Sequence, residues 1–215
     1  MTDSIADGVS SRAPAWGADT PAGEAEARER LLDAAEACYA ARGPRRTSMS
    51  NIASMAGVHR TTVYTYFPNK DAMLAACFVR ATAGVLKAAD PEFDSEGPFL
   101  EKLVRAWIAG MNAARSSSII RLLVDDEEVA GTYRAAEASE LWREAVTSQL
   151  EGRMVEAMRA GEVRDDLPVE TLARWVIRCV FSFIAEPGHI DDGGDEGLMR
   201  AFVIPSLEPR RPPGR

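Results

Sequence analysis

Beyond its carboxylates, the chain offers few groups for nucleophilic, proton-relay or metal chemistry. Its 215 residues hold two histidines, His59 and His189, and three cysteines, Cys38, Cys77 and Cys179. The cysteines are scattered, odd in number and without a C-x-x-C pair, which argues against a disulfide framework and a structural zinc site. His189-Ile190-Asp191-Asp192, with Asp195 and Glu196, gathers acidic side chains, but one histidine in a Gly-rich segment reads as a solvated loop rather than a metal centre. There is no Gly-rich phosphate loop, no G-x-S-x-G and no Cys–His pairing. The sequence therefore assigns no catalytic residue, no metal and no cofactor. What remains is charge: from Ala37 to Lys70 the chain carries five Lys/Arg and no carboxylate.

That window stands out because the chain as a whole is acidic, with a net charge of −8. Residues 24–89 hold nine basic and six acidic groups, whereas residues 90–215 hold 15 basic and 24 acidic. Such asymmetry points to a polyanion-facing module joined to something else. The longest apolar stretch, Trp175 to Ala185, is 11 residues and contains Arg178, too short and too polar for a bilayer span. Asp3 and Asp7 precede any basic residue and no apolar run follows, so no signal peptide is expected. Together these features predict a soluble, reduced, cytoplasmic protein with no membrane partner.

The elements that must position the basic window read as helices. Residues 1–23, rich in Ser, Ala, Gly, Asp and Pro, are expected to be a flexible tail. A helix starts near Glu24, its first-turn acids suiting the dipole, and Gly43-Pro44 stops it. Thr47 or Ser48 caps a short second helix that ends at Gly57. Thr61 to Phe67 consists of β-formers, and by propensity alone it is a strand. No second strand of matching pattern lies nearby, and Val63 and Phe67 share one helical face, so a short helix from His59 to Phe67 is predicted. Further helices are expected from Asn69 to about Ala88, ending before Asp90-Pro91, and from Phe99 to Arg115. Ile119 to Asp125 reads as another. Glu128 to Arg159 is one long or broken helix, with Gly131 and Gly152 as breaks. Glu170 to Ala185 and a last helix ending at Pro205 complete an all-α chain of about nine helices, with a second short tail from residue 209.

Ser48 to Met55 and His59 to Phe67 flank Gly57, with Ala53 four residues before it and Val63 six after. A small residue lets the helix axes approach, glycine permits the tight turn, and a β-branched residue plugs the corner. This is a helix-turn-helix, whose second helix enters the DNA major groove. The alternative is a helical hairpin that merely packs, and the acid-free window weighs against it.

The residues Arg46-Thr47-Ser48-Met49-Ser50-Asn51-Ile52-Ala53, then Ala56-Gly57-Val58, Thr62-Val63-Tyr64, Tyr66-Phe67 and Asn69-Lys70-Asp71-Ala72-Met73, resemble the DNA-binding domain of the TetR family of transcriptional regulators. The likeness covers about residues 27–75. It implies a three-helix DNA-binding domain over 24–75 and a larger helical ligand-binding and dimerisation domain over 76–208. It also implies that Arg60, Thr61 and Thr65 contact bases. Thr47, Ser48, Thr62, Tyr64, Tyr66 and Lys70 would contact the DNA backbone, Thr47 and Ser48 through hydroxyl and backbone N–H. Arg45 and Arg46 could brush phosphate, and the role of His59 stays open. The resemblance further implies a homodimer on a palindromic operator in double-stranded DNA.

The helix from Glu170 to Ala185 gives that dimer a reason. It is apolar on both sides, so it must be covered on both: one face by the core, the other by a partner chain, jointly with Leu198, Met199 and Phe202. The alternative is a fully buried central helix in a monomer. In the large domain, Trp107, Met111, Trp142, Met154, Met158, Trp175 and Phe181 are large, apolar and spread over several helices. They are either core or, as the resemblance implies, the wall of a pocket for an apolar small molecule; Trp107, Met111, Trp142, Met154, Trp175 and Phe181 are the pocket residues expected. Arg121 and Arg178 lie within apolar runs, where a buried guanidinium must be paired. Ligand binding to a repressor would then release DNA. Control by a protein partner, or an enzyme on a helical scaffold, are the competing readings.

Overall fold

The computed structural model describes Trp16, residues 20–124 and residues 129–210. No strand occurs among the described residues. α1 (Glu24–Arg42) carries Glu24 and Glu26 in its first turn and ends at Gly43, whose φ of 76° only glycine adopts readily and whose N–H donates to the Tyr39 carbonyl. α2 (Met49–Met55) is capped by Ser48: its hydroxyl accepts from the Asn51 N–H at 3.2 Å, and the Asn51 side chain accepts from the Ser48 N–H at 2.9 Å. Gly57, at φ 67°, makes the turn into α3 (Arg60–Tyr66).

The β-forming run from Thr61 is thus helical. Val63 and Phe67 are buried with Ile52 and Ala53, and that packing outweighs a propensity difference of a few tenths of a kcal/mol per residue. Asn69 caps α4 (Lys70–Asp94) by accepting from the Ala72 N–H at 2.8 Å. By length and composition α4 is the one described helix that could cross a membrane. In the fold it lies against α1 and against α5 (Phe99–Ser116). Arg80 fastens it to α1 through Glu29 at 2.9 Å, Asp33 at 2.8 Å and Glu36 at 2.7 Å.

α4 does not end before Asp90-Pro91 as predicted but runs through Pro91. Long-range contacts hold its last turn despite the lost amide donor. Asp90 pairs with Arg153 at 3.0 Å, Glu92 with Arg105 at 3.3 Å, and Phe93 stacks on Phe99 with centroids 6.1 Å apart. α4 is also continuous across residue 75, where two domains were expected to meet.

α6 (Ser118–Leu123) and α7 (Val129–Glu137) follow. The predicted helix from Glu128 to Arg159 breaks at Ala138-Ser139, while Gly131 and Gly152 both sit inside helices. Glu128 and Asp125 lie outside the described residues. Ser139 starts α8 (Glu140–Trp142), its hydroxyl accepting from the Trp142 N–H. A π-turn at Arg143–Thr147 leads without interruption into α9 (Ser148–Arg159).

α10 (Val169–Ala185) and the final rod close the chain. That rod comprises α11 (Gly194–Leu198), a π-turn at Met199–Val203 and α12 (Ile204–Leu207), two residues past Pro205. Counting rods joined through π-turns as one gives ten among the described residues. One buried cluster joins α1–α3 to α4, α6, Trp142 and Phe181; a second joins α5, α9, α10 and α12.

Candidate nucleic-acid interface and ligand cavity

The basic window folds so that its cations and most of its hydroxyls stay outside. Arg45, Arg46, Ser48, His59, Arg60, Thr61, Tyr64 and Thr65 are exposed, and Lys70 is half-buried at the start of α4. They are polar side chains on a compact unit whose core is Ile52, Ala53, Val63 and Phe67. Several are held in place within this surface. The Arg60 guanidinium donates to the Tyr64 hydroxyl at 2.9 Å and lies 5.2 Å from its ring centre. The Lys70 ammonium donates to the Arg45 carbonyl at 2.9 Å, and the Thr65 hydroxyl to the Thr61 carbonyl at 3.1 Å. His59 occupies the N-cap of α3 without a capping side-chain bond.

Two of the predicted DNA-backbone contacts do not fit the geometry. Thr47 is 3% exposed, its hydroxyl donating to the carbonyls of Gly43 at 2.9 Å and Cys38 at 3.3 Å. Its N–H donates to the Pro44 carbonyl. Both groups meant for phosphate are therefore spent on the turn between α1 and α2. Thr62 is 3% exposed on the inner side of α3, in line with half-buried Tyr66 four residues on.

The predicted flexible tail also contains an exception. Trp16 is buried in the cluster around α1–α3, its ring meeting Tyr66 edge-on with centroids 6.1 Å apart. The rest of that tail up to residue 15, with residues 17–19, and the final residues 211–215 lie outside the described part.

In the large region an apolar cavity of about 150 Å³ lies against the middle of α4. Of the six residues expected to line it, Trp107, Met111, Trp142 and Phe181 do. Met154 does not: Trp142, Val146 and Leu150 line the wall, but a four-residue spacing drifts by about 40° per step in a helix, and Met154 falls in the second core cluster. Trp175 does not either. It is 43% exposed on the outer side of α10, its indole N–H donating to the Ser206 hydroxyl at 2.9 Å. Sequence reasoning missed Phe78 and Phe93 on α4 and Phe78's aromatic contacts to Trp142 and Phe181 (centroids 5.1 and 5.2 Å). Their spacing along α4 was a legible signal once that helix was known to continue past Ala88.

Arg121 and Arg178 are exposed and neither lines the cavity; Arg178 lies 5.8 Å from the Tyr133 ring centre. The Gly-rich segment is less solvated than predicted. His189, Asp191 and Asp192 are exposed, but Asp195 pairs with Arg115 and accepts from the Gly188 N–H at 2.7 Å. Among the described residues no group of three His, Cys, Asp or Glu could hold a metal ion. All three cysteines are buried, and burial pushes the Cys179 thiol up to about 11, away from nucleophilic use.

A compact helix-turn-helix with an exposed cationic and hydroxyl-rich surface, carried on a long helix that borders an apolar cavity, defines a DNA-binding regulator. Residues 31–77 match the family described as bacterial regulatory proteins, tetR family. An uncharacterized HTH-type transcriptional regulator of Mycobacterium bovis is 30% identical over 178 residues, covering 83% of this chain and 90% of the relative. The HTH-type transcriptional repressor BepR of Brucella suis biovar 1 is 27% identical, over 87% of this chain and 93% of BepR. Among solved structures, RolR in complex with its ligand resorcinol superposes with a TM-score of 0.63 at 15% identity, over 86% of this chain and 88% of RolR. The chain belongs to the tetR family of HTH-type transcriptional regulators.

Proposed function

We propose that the protein is a homodimeric repressor that binds a palindromic operator and leaves it when an apolar small molecule fills the cavity. The observation that carries this reading is α4. One rod starts at Lys70, beside the exposed basic surface, and supplies Phe78, Thr82, Val85, Leu86, Ala89 and Phe93 to the cavity wall. A ligand that binds one placement of this rod better than another would shift the DNA-binding units by that difference in affinity. BepR, named a repressor, and RolR, solved with a small aromatic ligand, support the two halves of the reading.

Arg60, Thr61 and Thr65 are assigned to base edges, and Ser48, Tyr64, Tyr66 and Lys70 to the DNA backbone. Trp175, Phe202 and Leu167, large apolar residues left exposed on the α10–α12 side, are assigned to the dimer. A cavity of about 150 Å³ walled by apolar side chains supports small-molecule control over control by a protein partner, which a solidly packed core would suit better. The test is a fluorescence-anisotropy titration against DNA flanking the protein's own gene, at several salt concentrations with competitor DNA. Tight, competitor-resistant binding with a steep salt slope is expected. Arg60→Ala should relax preference at one base pair per half-site, by about 1–3 kcal/mol. Equal weakening on all sequences would remove Arg60 from base readout.

A further inference from the structure

We infer that Trp16 is a positioning residue for DNA binding: it holds the Tyr66 ring where the Tyr66 hydroxyl can meet an operator phosphate. The inference rests on the assignment of Tyr66 to the DNA backbone, and it adds a residue that lies ahead of the tetR match at residues 31–77. The element at issue is α3. It has seven residues, and those after Arg60 are Thr, Val and Tyr, all weak helix formers. No side chain caps its N-terminus, and Phe67 at its end is extended, with φ −133° and ψ 108°, rather than left-handed. A helix this short is not stable by itself. What packs on its side chains therefore sets where they point.

The two tyrosines of α3 are held in different ways. Tyr64 is exposed and takes its support from Arg60 in the same helix, through the hydrogen bond at 2.9 Å. Tyr66, in the last turn, is half-buried and takes its support from outside the helix. Trp16 is 8% exposed in the cluster around α1–α3 and meets the Tyr66 ring edge-on, with centroids 6.1 Å apart and ring planes at 70°. That is a favoured geometry for an aromatic pair. On the next residue, the Arg28 guanidinium of α1 lies 5.2 Å from the Phe67 ring centre. Among the described residues the Tyr66 hydroxyl has no hydrogen-bond partner, and it is not closed off from solvent. The ring is thus fixed while its polar end stays open. A side chain fixed before binding loses less rotamer freedom on binding. Trp16 is itself buried, so it acts through Tyr66 rather than by touching DNA.

The test is a double-mutant cycle in the full chain. The wild-type chain selects an operator from a random duplex library, and fluorescence anisotropy reads the affinities at one salt concentration. Tyr66→Phe keeps the ring, removes the hydroxyl and should weaken the complex by about tenfold or more. Trp16→Ala should weaken it by about threefold per half-site, or about tenfold over two, from the freedom returned to Tyr66. In the Tyr66→Phe background the same change should cost less than about twofold. A purely structural role would not show this, since damage to the core weakens both backgrounds alike. Circular dichroism checks that each variant is folded at the assay temperature. Should Trp16→Ala fail to fold, Trp16→Leu, which keeps apolar bulk without a ring edge, carries the same cycle. An equal loss in both backgrounds, or no loss in either, overturns the inference and leaves Tyr66 on the DNA backbone. An unchanged affinity in Tyr66→Phe overturns the assignment of Tyr66 and the inference with it. A wild-type chain that selects no duplex overturns the DNA-binding reading as a whole.

Discussion

At the DNA-facing surface, residue type and residue placement make separate contributions. Arg60, the base-reading candidate, is folded onto Tyr64, so binding DNA would exchange an internal contact for a base contact rather than order a free side chain. Trp16 shows how one residue can be misread by its neighbourhood. It sits in a segment of small and polar residues, yet it is buried against Tyr66, which is assigned to the DNA backbone. Trp16→Ala should lower stability by about 2–3 kcal/mol in urea unfolding, the worth of a buried aromatic; a loss within experimental error would mean that the ring does not seat there. The signal was available, because a tryptophan is unusual in a segment too polar to fold. For Thr47 and Thr62 no such signal existed. Threonine suits both a phosphate contact and an inward helix face, and in a seven-residue helix only packing decides the phase.

At the scale of elements, the helix ends were legible where a cap or breaker is local. Gly43, Ser48, Gly57 and Asn69 all act within four residues of what they terminate or start. The misreadings come from elements held by distant partners. α4 crosses Pro91 because Arg153 and Arg105, far along the chain, hold the turn that proline weakens. The two π-turns, at Arg143–Thr147 and Met199–Val203, have no sequence signature comparable to a cap. Gly152, predicted to break a helix, and Gly84 in α4 both lie in helix interiors, and a Cβ added at either meets nothing within 4 Å. Gly84→Ala and Gly152→Ala should each raise stability by about 0.8–1 kcal/mol, measured as an increased denaturation midpoint at unchanged slope. A decrease would show that the backbone there is not regular helix.

For the whole molecule, the two buried clusters do not follow the expected division at residue 75. The core of α1–α3 continues through Phe78 to Trp142 and Phe181, which also line the cavity. The cavity wall and the helix-turn-helix therefore share one buried cluster. Phe202 on the final rod is 69% exposed, as is 43% of Trp175 on α10. A charge there should cost the proposed dimer: Phe202→Glu is expected to sediment as a monomer and lose most operator affinity, while retaining its helical content. A dimer that persists would move the interface elsewhere.

By itself the sequence determined the helical class, the turn chemistry around Gly43 and Gly57 and the acid-free window. These depend on side-chain type and on spacings of a few residues, which no later packing alters. Only the tertiary structure decided which face of α3 points inward, that Trp16 is seated, that α4 passes Pro91, and which aromatic residues surround the cavity. Those outcomes depend on contacts between residues tens of positions apart, where burial free energy overrides local propensity.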